Sequence, residues 1–131
     1  MFAKFQQFLH KPLFGTGPKP EAELVLELGE GDPIDNPSAS QLALELSRLT
    51  VENDRFAVLR RRNGEFVQTI RYQDGYAIEY KDAGGKFSSR NDPQSQATTT
   101  ELFQRFAAGD AEWKSLLAWE FDGRHDWIPH G

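Results

Sequence analysis

The chain contains no cysteine. Thiol redox chemistry and a disulfide scaffold are therefore excluded, which is compatible with a reducing compartment. No apolar run approaches the roughly 18 residues that a membrane-spanning helix needs. The segment from Met1 to Leu9 is interrupted by Gln6 and Gln7 and lacks the continuous apolar stretch of a signal peptide. A cytoplasmic location is the resulting expectation. Histidine is scarce, at His10, His125 and His130. His125, Asp126 and His130 lie close together, but no helix puts them on one face and no second cluster completes a coordination shell. No metal and no cofactor are expected. No nucleophile elbow surrounds any serine. Gly15-Thr16-Gly17 and Gly84-Gly85 are too short and too poorly placed for a phosphate loop. Catalytic residues are therefore not assigned, and the chain reads as not an enzyme.

What is present fits one globular domain over residues 1–131. With 27% charged and 38% hydrophobic residues, the chain can bury a core without staples. Residues 1–20 read as an amino-terminal helix followed by a Pro/Gly loop, and residues 122–131 as a polar tail. Phe2, Phe5 and Leu9 recur at helical spacing, with Phe8 beside them, so this short helix should dock on the core. Lys4 and Lys11 are too few charges for a lipid-binding helix.

The net charge of −5 is unevenly spread. Residues 55–90 hold eight basic and four acidic side chains, while both flanks are acidic. Either the charges complement each other across the surface, or the basic region is a platform for an acidic partner.

That basic region carries the clearest pattern in the chain. Apolar and polar residues alternate through Phe56, Val58, Phe66, Ile70, Tyr72, Tyr76, Ile78, Tyr80 and Phe87, the period of half-buried strands. Loop length decides which side chains share a face. Three-residue loops Arg62-Asn63-Gly64 and Gln73-Asp74-Gly75, then a four-residue loop Asp82 to Gly85, bring all these residues to one face. Gly75 would take the left-handed position of its loop. The other face would carry Arg55, Arg61, Arg71, Lys81, Lys86 and Arg90 with Glu65 and Glu79, and Ala57, Leu59, Val67 and Thr69 among them. Arg61, Arg71, Glu79, Lys81 and Arg90 are the candidate partner-binding residues. Glu79 beside Lys81 could serve as a general base or as a cross-strand ion-pair partner. Tyr72, Tyr76 and Tyr80 could stack on bases, but they share the face that needs a core, and no nucleic acid is expected.

Ala22, Leu24, Leu26 and Leu28 alternate as a further strand, ended by Gly29 to Pro33. Asn36-Pro37 predicts a helix start with Asn36 as cap, followed by the stripe Leu42, Leu46, Leu49. Thr98 with Glu101 predicts a capping box for a second helix burying Leu102, Phe103 and Phe106 and stopped by Gly109. Asn91 to Thr100 reads as a loop before it. Asp110 to Trp113 predicts a short helical turn. Ser115, Leu117, Trp119 and Phe121 alternate toward a last strand, with Trp119 buried against Phe103 or Phe106. The fold class is α+β: an antiparallel sheet, with a four-stranded meander over 55–90 plus flanking strands, and helices packed on one face.

Phe66-Val67-Gln68-Thr69, Asp74-Gly75-Tyr76, Glu79-Tyr80, Phe106 with Gly109-Asp110 and Trp113, and Trp119-Glu120 follow in an order that resembles small α+β immunity proteins of bacterial polymorphic-toxin and contact-dependent systems. The resemblance covers roughly residues 55–120. It implies a protein that binds and blocks a cognate toxin and catalyses nothing. A small ligand-binding domain or enzyme, with a pocket between helices and sheet, is the alternative, and a structural or regulatory subunit is a third reading. No membrane partner is expected.

Overall fold

The computed structural model describes residues 22–52 and 55–122. Seven antiparallel strands form one sheet in the order β2-β1-β3-β4-β5-β6-β7. The strands are β1 (Leu24–Leu28), β2 (Ile34–Asp35), β3 (Phe56–Arg61), β4 (Phe66–Tyr72), β5 (Gly75–Asp82), β6 (Gly85–Ser89) and β7 (Trp119–Phe121). Helix α1 (Ala39–Ser47) follows β2, and α2 (Gln96–Ala108) with a 3-10 turn (Trp113–Leu116) follows β6. The class is α+β, as expected from the alternation over 55–90.

Two hairpins keep the expected register. Arg60 faces Phe66 across the β3–β4 turn, and Tyr80 faces Phe87 across the β5–β6 turn. The β4–β5 hairpin does not. Tyr72 pairs with Gly75 and Arg71 with Tyr76, so the loop is Gln73-Asp74 and Gly75 belongs to β5. A slip of one residue moves every side chain on one side of that hairpin to the other face. The helix-facing surface therefore carries Tyr76, Ile78, Tyr80 and Phe87 with Ala57, Leu59 and Val67, which pack with Leu24, Leu26 and Leu28 of β1. Phe56, Val58, Phe66, Ile70 and Tyr72 lie on the opposite face.

Two contacts explain the shorter loop. The chain returning from β6 bridges β5 through Tyr76 N–H to Gln94 O at 2.9 Å and Gln94 N–H to Tyr76 O at 2.7 Å. Gly75, at φ +152, lies so close that an added Cβ would stand 2.5 Å from the Gln94 carbonyl oxygen. The Tyr76 ring is then buried beneath α1.

Both helices follow their apolar stripes. Leu42, Leu46 and Leu49 from α1 and its exit meet Leu102, Phe103 and Phe106 of α2 over the sheet. Gly109 ends α2 at φ 76, as expected. The starts differ. Ser38 caps α1, accepting from Gln41 N–H at 3.0 Å. Asn36 instead closes the β1–β2 unit: its Oδ1 accepts from Leu24 N–H, and its own N–H donates to Leu24 O. Ser95 caps α2 by accepting from Thr98 N–H, and Glu101 pairs with Arg105 at 2.6 Å rather than reaching back to a cap. The short turn also starts later than expected, at Trp113, and Trp113 replaces Trp119 as the deeper indole. Trp113 meets Phe106 and Tyr80 edge-on at 5.3 and 5.0 Å. Trp119 is half-buried at the sheet margin, edge-on to Tyr80 at 4.7 Å.

The amino-terminal helix and Pro/Gly loop expected over 1–20, His10, and the tail with His125, Asp126 and His130 lie outside the described residues. No helix among the described residues is long and apolar enough to cross a membrane.

Candidate interaction surface

α1, α2 and the 3-10 turn all pack on one side of the sheet. The register then defines the rows of the opposite face. Its central row runs Glu27, Val58, Gln68, Glu79, Ser88 and Glu120, one residue from each of β1, β3, β4, β5, β6 and β7. The next row runs Val25, Arg60, Phe66, Lys81 and Lys86. Carboxylates thus occupy one row and cations the neighbouring one.

Glu79 is held at the centre. Gln68 Nε2 donates to its Oε1 at 3.1 Å and Ser88 Oγ to its Oε2 at 3.3 Å. Burial pushes its carboxyl up, against the pull of those two donors and of the Lys86 charge. A fixed acceptor of this kind suits recognition of a donor or cation brought by another molecule.

Glu27 differs. It is fully buried, and among the described residues neither carboxylate oxygen has a hydrogen-bond partner. Burial raises its pKa to about 7, opposed by the charge of Arg60. A lone acid inside the otherwise aliphatic, fully buried run Leu24-Val25-Leu26-Glu27-Leu28 was the sequence signal for it. Gln68 and Ser88 had no such signal, because only the register brings them to Glu79.

The expected charged platform is divided between the two faces. Glu79 and Lys81 lie on the face opposite the helices, and Arg90 is exposed just beyond β6. Arg61 and Arg71 lie on the helix side and are occupied there. Arg61 stacks over Phe106 at 4.4 Å, donates to its carbonyl, and meets Glu65 at 3.8 Å and Glu23 at 4.0 Å. Arg71 lies 5.0 Å over the Tyr76 ring and donates to its hydroxyl at 3.2 Å. The one-residue slip at Gln73-Asp74 leaves Arg61 and Arg71 on one face with Leu59 and Val67, which the helices cover, and puts Glu79 and Lys81 on the other.

Two open cavities lie away from the central row. One, of about 320 Å³, separates the tips of the β3–β4 and β5–β6 hairpins and is lined by Asn63, Glu65, Lys81 and Asp82. The other, of about 610 Å³, lies between the β1–β2 turn and the end of α1, with Glu30, Asp32 and Glu45 against Arg48. Among the described residues, no three His, Asp or Glu side chains are grouped as metal ligands. No protein-family model matches this chain, and no curated protein or solved structure is significantly similar to it.

Proposed function

We propose that this chain is a non-catalytic protein-binding domain of the immunity type, which docks on a cognate toxin in the cytoplasm and blocks it. The observation that supports this reading is the charged part of the second sheet face, where Lys81 and Glu120 are exposed and Glu79 is half-buried. Over β5 to β7, Glu79, Lys81 and Glu120 present alternating charges on hydrogen-bonded strands, with Arg90 exposed beside them. No described helix covers them. Fixed charges of both signs on a rigid sheet favour one partner orientation and reject others, because a misaligned partner meets like charges. The anchored Glu79 supplies a preorganised acceptor in the middle of that field.

The experiment is co-expression with a candidate toxin domain, taken from a neighbouring gene where one encodes it, scored by growth and by complex formation. The parent should protect the cell and bind the toxin. Lys81→Glu with Arg90→Glu should abolish protection and weaken binding at least about tenfold, with melting nearly unchanged, since exposed substitutions stay within about 0.5 kcal/mol each. Full protection by the double variant would reject this surface. Failure of the parent to bind or protect would reject the toxin-blocking function.

A further inference from the structure

β7 is an edge of the sheet, with no described strand beyond it. Its pairing with β6 fixes which backbone groups point outward. Arg90 N–H donates to Ala118 O at 2.9 Å, and Asp122 N–H to Lys86 O at 2.8 Å. Bonding alternates along an antiparallel pair, so Ala118, Glu120 and Asp122 turn their backbone groups toward β6, and Trp119 and Phe121 turn theirs away. Those outward N–H and C=O groups have no partner among the described residues.

The side chains on this edge are also displayed. Phe121 is 62% exposed, more than any other large hydrophobic among the described residues. Its ring is nonetheless fixed in place. It lies 5.2 Å from the Phe87 ring, and so close over Gly85 that an added Cβ would stand 2.8 Å from its Cε1. Glu120, between Trp119 and Phe121, points to the opposite face and is exposed. Lys86 is buried on that opposite face, one strand further in, so the accessible feature is the outer edge of β7 and not the whole face.

We infer that the outer edge of β7 is a strand-addition site. It takes an extended segment of a partner protein, antiparallel to β7, with an apolar–basic–apolar triplet opposite Phe121, Glu120 and Trp119. This rests on the reading of the chain as a protein-binding domain and names how the partner is held. The outward groups of Trp119 and Phe121 supply the backbone bonds. Alternation puts the two apolar residues of the triplet beside Phe121 and Trp119, and the basic one beside Glu120. The residue opposite Glu120 sits in the closer kind of cross-strand pair, with Cα atoms about 4.5 Å apart, where opposite charges attract and like charges repel.

The same carboxylate argues against a second copy as the occupant. Two β7 strands related by a two-fold axis, with all three residues paired, would set Glu120 against Glu120. A short strand with a central charge is how a sheet edge avoids pairing with itself. An edge built only for that purpose has no use for a large ring held in water beside it, and Phe121 is such a ring. The other edge, β2, is a poorer site: it has two residues and ends at Asn36, where φ is 46.

The test uses the full chain and a disulfide-closed hairpin peptide whose outer strand carries Val-Lys-Val flanked by threonines. In the free chain the Trp119 and Phe121 amides should exchange with solvent much faster than the Arg90 amide, which is bonded to Ala118. The hairpin should slow them and shift their resonances. A Val-Glu-Val hairpin should bind about fivefold more weakly. Glu120→Lys should reverse that order of preference, which a loss of folding would not do. Trp119 and Phe121 amides already protected in the free chain would overturn the inference, as would no binding of the Val-Lys-Val hairpin or an order of preference unchanged in Glu120→Lys. The assay contains no toxin, so its failure leaves the toxin-blocking reading to the co-expression experiment, and failure there leaves this edge standing.

Discussion

The Tyr76 hydroxyl donates to the Leu46 carbonyl at 3.0 Å, joining the start of β5 to the last turn of α1 across thirty residues of chain. Arg71 completes the arrangement, with Nη1 at 3.2 Å from the same hydroxyl. Tyr76→Phe keeps the ring and removes both bonds. It should cost about 1 kcal/mol, with Arg71 losing its acceptor. Denaturant unfolding measures this, and a change below about 0.3 kcal/mol would mean that the bond contributes nothing to stability.

Gly75 should tolerate no side chain. A Cβ there would stand 2.5 Å from the Gln94 carbonyl oxygen and 2.9 Å from Pro93 Cβ, on a backbone at φ +152. Gly75→Val should cost more than about 2 kcal/mol, from strain and collision together. Gly64→Ala is the control. Its φ is +99 with open space around it, so only conformational strain of about 1 kcal/mol applies. Equal losses in the two variants would remove the collision from the explanation.

The two indoles should differ. Trp113 is 8% exposed and meets both Phe106 and Tyr80, so Trp113→Ala should cost about 3–5 kcal/mol. Trp119 is half-buried and donates its Nε1–H to the Lys114 carbonyl at 2.9 Å. Trp119→Ala should cost about 2 kcal/mol. Thermal melting ranks them, and a larger loss at Trp119 would place the centre of the aromatic cluster at β7.

Glu27 should make stability depend on pH in an unusual direction. Its folded pKa is raised to about 7, above the roughly 4.3 of an unfolded chain. Between these values the folded state holds a proton that the unfolded state has released. Stability from this group is therefore full below about pH 4, falls as pH rises toward 7, and is level above. Glu27→Gln removes the dependence. It should stabilise the protein by up to roughly 3 kcal/mol at pH 8 and by little at pH 4.5. Equal effects at both pH values would show that the carboxyl is not protonated in the fold.

The candidate surface was partly legible. Glu79 and Lys81 lie on one face with Lys86 because the β5–β6 register follows from the adjacent turn. Glu79 meets Gln68 only through the β4–β5 hairpin, where the expected loop was one residue too long, and the same error put Arg61 and Arg71 on one face with Glu79 and Lys81.

Local pattern determined the α+β class, the strands from Phe56 to Ser89, two of three hairpin registers, and the stripes Leu42-Leu46-Leu49 and Leu102-Phe103-Phe106. Period-two alternation, turn residues and helical spacing act over a few neighbours, so they can be read from the chain itself. Tertiary structure alone decided the β4–β5 register. Both faces of β3 and β4 are apolar, with Ala57, Leu59 and Val67 on one and Val58, Phe66 and Ile70 on the other, so alternation could not choose between them. The choice came from contacts distant in sequence: Gln94 bridging Tyr76, Leu46 accepting its hydroxyl, and β1 supplying Leu26 opposite Leu59. The same distant contacts decided that Arg61 and Arg71 bind the helix side, and that Glu27 is buried with no hydrogen-bond partner among the described residues.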